Sequence, residues 1–169
     1  FKTGDYSVHE KALSMYYDAI DANLLGSTIW NYTADNTNAA GDHWNGEDLS
    51  IVSRDRDGTL RPRAIAGWRR PYPMASAGTP LEFRWDLRRR TLYFRFLADP
   101  DLSAPTEIYV PPGLWETPEL SVEPAADAGA PVGTAAGLRA EYKPEADRIY
   151  VYNGGYRGEA VLWAGGERI

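Results

Sequence analysis

From Leu81 to Leu97 the chain alternates apolar and polar residues, first Leu81-Glu-Phe-Arg-Trp-Asp-Leu87 and then Leu92-Tyr-Phe-Arg-Phe-Leu97, around an Asp86–Arg90 turn. An alternation of two sends successive side chains to opposite sides, so this stretch acquires one buried and one wetted face only as a β-hairpin. Five more runs of this kind follow: Glu107–Val110, Glu119–Val122, Leu138–Tyr142, Arg148–Tyr152 and Glu159–Ala164. Seven short strands separated by turn residues predict a small antiparallel β-sandwich. The Ala/Gly/Pro-rich stretch Pro124–Gly137 reads as a mobile surface loop between two of them.

Upstream the period changes. Leu13, Tyr16, Tyr17, Ile20 and Leu24 recur at three- and four-residue steps, which places an apolar stripe along a helix of about four turns. Ser7 and Glu10 have the spacing of a capping box, and Gly26 stands where a left-handed C-terminal cap belongs. The β-branched and aromatic run Ser27–Tyr32 comes next, and a helix, a tight turn and a strand form the αβ connection of a parallel sheet. The polar stretch from Thr33 to Thr59 contains Trp44, Leu49, Ile51 and Val52, which need burial, so it is expected to be ordered. Pro62 then opens a second helix with Ala64, Ile65 and Trp68 on its apolar face, ended by Pro71 and Pro73. The expected division falls at Ala77-Gly-Thr-Pro80, giving parts 1–78 and 79–169. The second has strands enough to fold alone, whereas a lone strand in the first leaves its ladder groups to be met from elsewhere.

Composition removes several classes of function. The chain of 169 residues has no cysteine, so neither a disulfide scaffold nor a thiolate metal site is available, and His9 and His43 are its only histidines. No apolar run approaches the roughly 20 residues of a membrane-spanning helix. A net charge of −6 without a basic patch of any length argues against nucleic acid as a partner. No metal or organic cofactor is expected. The first residues, Phe1-Lys-Thr-Gly4, show neither a start methionine nor a signal pattern, and predict a cleaved or truncated chain.

The chemistry concentrates between residues 27 and 53. Trp30 and Tyr32 lie on the predicted strand, and Asp35, Asn36, Trp44, Asn45 and Glu47 on the loop that follows. Aromatic faces stack on sugar rings, while amides and carboxylates bind ring hydroxyls, so the set suits a polyhydroxylated ligand. The run LLGSTIWNYTADNTNAAGDHWNGEDLSI (24–51), with Arg70-Pro-Tyr-Pro73 further on, resembles endoglycoceramidases and their relatives in glycoside hydrolase family 5. The resemblance spans residues 9–98. It implies the last αβα segment of a (β/α)8 barrel followed by a small antiparallel β-sandwich: helix 9–25 as the seventh helix, 27–32 as the eighth strand and 62–70 as the eighth helix. It also implies a retaining glycosidase acting on glycosides or glycolipids. Such an enzyme needs two carboxyl groups roughly 5–5.5 Å apart. In this family they are Glu residues after the fourth strand and at the end of the seventh, so neither matches a residue of this chain. Trp30 matches the eighth-strand Trp that floors the sugar subsite, and the loop residues match the family's cleft-shaping motif. The implied partner is an N-terminal barrel portion of the same enzyme, with peripheral contact at a lipid interface, and the expected location is secreted or extracellular.

Other readings of the same residues are less specific. Trp30 also reads as a core aromatic, and Trp44 as a pin for its loop. Glu47 and Asp48 are adjacent on a loop, where neighbouring side chains point apart, unlike a catalytic pair. Asn36, Asn38, Gly41, Asp42 and Glu47 fit an EF-hand register, yet Asn stands first and Ala40 occupies a ligand position. Asn31-Tyr-Thr33 is a glycosylation sequon inside the proposed site. Arg88-Arg-Arg90 reads as a solvated hairpin tip, with contact to anionic lipid head groups as the second reading. The aromatics of the sandwich also admit a non-catalytic carbohydrate-binding or structural module.

Overall fold

A computed structural model describes residues 4–54, 56–126 and 137–166; most of the expected Pro124–Gly137 loop therefore lies outside the described residues. The chain divides into two compact units, Phe1–Tyr17 with Gly26–Arg69, and Asp18–Leu25 with Arg70–Ile169.

The helical spacing near the start forms α1 (Ser7–Ala22). The expected capping box is not made. The Asp5 carboxylate accepts the Ser7 N–H at 3.0 Å, and the Glu10 carboxylate accepts the N–H of Ala66 at 3.4 Å instead. The helix also ends four residues before Gly26. Leu24 takes up the left-handed turn with φ 52°, and the Leu25 N–H bonds back to the Ile20 carbonyl at 3.0 Å. No residue of α1 is buried, and Tyr16 in its apolar stripe is 72% exposed.

Ser27–Tyr32 does not form the expected strand. A strand exists only through its ladder, and among the described residues the partner of this segment is Asn31 alone. Its N–H reaches the Leu49 carbonyl at 3.4 Å, and its carbonyl accepts the Ile51 N–H at 2.9 Å. Residues beyond that rung make the antiparallel pair β1 (Val52–Arg54) and β2 (Leu60–Pro62), in which Pro62 faces Val52. Pro62 thus closes a strand rather than opening a helix, and the Arg63 N–H extends the ladder to Ile51 at 2.7 Å. The expected second helix shrinks to one turn, α2 (Ile65–Trp68), because Ala64 before it is left-handed at φ 48°. Trp68 Nε1 donates to the Arg63 carbonyl at 2.8 Å and holds that turn shut. Gly67 lies so close to α1 that a Cβ would stand 2.9 Å from the Glu10 Cα and the Leu13 Cβ. Every strand pair among the described residues is antiparallel, so the parallel end of a barrel is not seen in this unit.

The second unit is the sandwich. Its strands are β3 (Tyr72–Ala75), β4 (Gly78–Asp86), β5 (Thr91–Ala98), β6 (Thr106–Tyr109), β7 (Glu119–Pro124), β8 (Arg139–Lys143), β9 (Arg148–Tyr152) and β10 (Gly158–Gly165). They form two four-stranded sheets, β4-β5-β10-β7 and β3-β6-β9-β8. The alternation in the sequence becomes the core directly. Leu92, Phe94 and Phe96 of β5 are fully buried, while Tyr93 and Arg95 between them are only partly so. Ile108, Ile149 and Val151 answer from the other sheet, and Phe94 stacks on Phe96 at 5.4 Å. Each such side chain contributes about 1.5–3 kcal/mol by leaving water.

The strand not anticipated is β3, whose prolines read as helix terminators. It is the edge of its sheet, where a missing N–H costs least. Asn153 joins β9 to the opposite sheet. Its Nδ2 donates to the carbonyls of Ala77 at 2.8 Å and Asp99 at 2.9 Å, while Thr106 Oγ1 accepts the Ala77 N–H at 2.9 Å. Gly78, which opens β4, is pressed so near β5 that a Cβ would meet the Leu97 carbonyl oxygen at 2.0 Å.

Candidate substrate-binding face

The candidate residues lie in the first unit, on the irregular chain from Trp30 to Glu47. Asp42 is the node of this segment. Its carboxylate is buried and accepts the Trp44 N–H at 3.1 Å, the Leu49 N–H at 3.3 Å and Asn31 Nδ2 at 3.3 Å. Burial alone would raise the Asp42 carboxyl, but donation from Leu49, Trp44 and Asn31 outweighs it and holds the group below its ordinary value. Asp42 stays ionised and binds the residue after Trp30 and the backbone of Trp44 to one oxygen pair. Both indoles project from that frame, Trp30 at 67% exposure and Trp44 at 59%. The Trp30–Asn31 peptide bond is cis.

The loop around Trp44 is closed at its base. The Asp42 N–H donates to the Glu47 carbonyl at 3.1 Å, and the Glu47 N–H to the Trp44 carbonyl at 2.8 Å. His43, Asn45 and Gly46 take positive φ of 63°, 49° and 69° to make this turn. Gly41, at φ 73°, has no room for a side chain, because a Cβ there would sit 2.2 Å from the Glu47 carbonyl oxygen. A second link joins the loop base to the residue after β2: Arg63 reaches the Asp48 carboxylate at 2.5 Å, with both side chains nearly buried.

The structure sorts the seven candidates into three kinds. Trp30, Trp44 and, by its backbone, Glu47 share the Asp42 frame. Tyr32, Asp35 and Asn45 are exposed nearby in sequence, and among the described residues their side chains make no hydrogen bond to that frame. Asn36 is fully buried: its Nδ2 donates to the Val52 carbonyl at 2.9 Å and its own carbonyl accepts the Arg54 N–H at 2.7 Å. It holds the loop to β1 instead of meeting solvent. Asn36, first in the EF-hand register, is thereby turned inward to β1.

Sequence reasoning missed Asn31, Asp42, Ser50 and the Arg63–Asp48 pair. Asp42 had a local signal, an Asp two residues before a backbone N–H it can cap, and Ser50 repeats the pattern by accepting the Val52 N–H at 3.3 Å. The Arg63–Asp48 pair spans fifteen positions and had none.

Residues 70–155 match the glycoside hydrolase family 5 C-terminal domain. The chain belongs to that family. Curated relatives agree with it: a glucosylceramidase of Rhizopus delemar is 32% identical over 129 residues, 66% of this chain and 19% of that protein. An ergosteryl-beta-glucosidase of Saccharomyces cerevisiae is 42% identical over 53 residues, 31% of this chain and 7% of the relative. The family 5 chain thus spans about a fifth of the length of the glucosylceramidases it matches, 19% and 18%. Among solved structures, Cryptococcus neoformans sterylglucosidase 1 superposes with a TM-score of 0.74 at 24% identity, over 96% of this chain and 25% of that one. Endo-glycoceramidase II of Rhodococcus sp. gives 0.64 at 18% identity, over 96% of this chain and 30% of that one. These two likenesses show the fold.

Proposed function

We propose that this chain is the C-terminal part of a retaining β-glycosidase that hydrolyses glycolipids. The segment up to Arg69 would complete the enzyme's barrel, and the sandwich that begins with β3 would be its C-terminal domain. The observation that carries the reading is two exposed indoles, Trp30 and Trp44, on a loop frame that the Asp42 carboxylate ties through Asn31 Nδ2 and the Trp44 N–H. An exposed aromatic normally costs solvation free energy, and indoles left in water among amides and carboxylates are suited to the apolar face of a sugar ring. Tyr16 in the α1 stripe and Leu24 beyond the helix end are left exposed, which supports the barrel placement, because an amphipathic helix is stable when its apolar face is packed. The names of the relatives, glucosylceramidase and sterylglucosidase, support the substrate class.

In this mechanism a Glu upstream of this chain attacks the anomeric carbon and the aglycone oxygen takes a proton from a second Glu, also upstream. Water then breaks the glycosyl-enzyme bond with the second Glu acting as base. Trp30 floors the sugar subsite. Tyr32, Asp35, Trp44, Asn45 and Glu47 shape the cleft beside it, and Asn36 keeps the loop in register from inside. The partner is the N-terminal portion of the same enzyme, acting outside the cell. The test is hydrolysis of fluorescent glucosylceramide and of a steryl glucoside by the full-length protein, with and without Trp30→Ala. Cleavage of either lipid, with kcat/KM lowered about tenfold or more by the substitution, is expected. A full-length protein that cleaves neither would refute the reading, and so would an indifferent Trp30→Ala variant for the role of that residue.

A further inference from the structure

We propose that the β4–β5 hairpin tip, Leu87–Arg90, with Trp115 beside it, docks on an anionic lipid surface. This inference lies wholly within the sandwich and does not rest on the glycosidase reading. The tip carries three consecutive arginines and one acid. Asp86 is taken by Arg89, which donates its N–H to Oδ1 at 2.8 Å and its guanidinium to Oδ2 at 2.9 Å. Arg88 and Arg90 have no acid within ion-pair reach among the described residues, and both are exposed. Among the described residues these two positive charges are unpaired, in a chain whose net charge is −6.

Charge alone describes a solvated turn; the apolar groups beside it distinguish this one. Leu87 is 37% exposed at the tip. The Trp115 indole stands against Trp85 edge-to-face at 5.8 Å, and its Nε1 donates to the Arg90 carbonyl at 3.2 Å. That bond ties the Pro111–Pro118 loop to the hairpin, with Trp115 half-buried against the core beside Arg90. Arginine heads with an adjacent leucine and tryptophan match the zone where phosphate head groups meet acyl chains. Glu116 on the same loop and Glu119, which faces Gly165 at this end of the sheet, are both exposed and weaken this attraction.

Each basic side chain near an anionic leaflet strengthens adsorption by roughly fivefold, so losing two weakens it about twenty-five-fold. The experiment is co-sedimentation of the chain with vesicles of phosphatidylcholine alone, with added phosphatidylserine, and with added phosphatidylglycerol. Expected are binding to both anionic vesicles, release at about 0.5 M salt where the screening length falls to a few Å, and loss of binding in Arg88→Ser/Arg90→Ser. Leu87→Ser should lower binding while leaving its salt dependence intact. Both sets of residues are exposed, and an unchanged thermal midpoint checks that the variants fold. Absence of binding to anionic vesicles at low salt overturns the proposal. Equal binding to phosphatidylcholine, or binding that survives the double substitution, overturns it as well.

Discussion

Removing Arg63 should open the Trp44 loop while leaving the sandwich intact. The Arg63 and Asp48 side chains are 6% and 4% exposed and meet at 2.5 Å, and Arg63 also reaches the Asp48 carbonyl at 3.4 Å. The guanidinium lies 5.1 Å from the Tyr6 ring. The pair is incompletely satisfied, because Arg63 Nε and Asp48 Oδ2 have no hydrogen-bond partner. Two buried charges with unmet atoms contribute little net stability over apolar residues of like size. Deleting one partner is different, since it strands a buried carboxylate and costs about 3–5 kcal/mol. The lower end applies here, as one Asp48 oxygen is already unmatched. Arg63→Met should therefore cost about 3 kcal/mol, and Arg63→Met/Asp48→Leu should lie within about 1 kcal/mol of the parent. The assay is native-state hydrogen exchange at Asp42, Glu47 and Ile51, whose N–H groups are all bonded in this frame. A loss of 3 kcal/mol speeds their exchange by about two orders of magnitude. Amides of β5 serve as the internal reference. If the single variant exchanges like the parent, or the double variant is no better than the single, the reasoning fails.

Two further outcomes follow from the same geometry. Asp42 has a folded-state pKa below its ordinary 3.8, so its contribution is complete above that value and is lost as pH falls through the lower folded value. Amide proton shifts of Trp44 and Leu49 should therefore hold steady through neutral and mildly acidic pH and move only below about 3.8; Asp42→Asn should abolish that acid limb. Asn153→Ala removes two buried donations across the sandwich. The Ala77 carbonyl retains the Asp99 N–H at 3.1 Å, so about 2–3 kcal/mol should be lost in urea unfolding. Asn153→Asp, which cannot donate, should lose at least as much, and a shift below about 0.5 kcal/mol in either would show that the link is idle.

The strands of the sandwich were legible in the sequence because alternation is a local property: once Leu92, Phe94 and Phe96 share a face, one face must be buried. The aromatic and amide-rich character of residues 27–53 was legible for a similar reason, since Trp30 and Trp44 among amides and carboxylates are chemistry before they are geometry. Partner choice is not local. Ser27–Tyr32 has the composition of a strand but, among the described residues, only the Asn31 rung of a ladder, and β3 has the composition of a break yet pairs at a sheet edge that tolerates its prolines. Asn36 carries the same amide as Asn45, but a carbonyl from β1 draws one inward while a left-handed turn turns the other out. Composition and period therefore determined the sandwich and the set of candidate side chains. Which side chains became the frame, and which were left in water, was decided by hydrogen bonds between residues far apart in the chain, where a buried donor must find an acceptor wherever the tertiary structure supplies one.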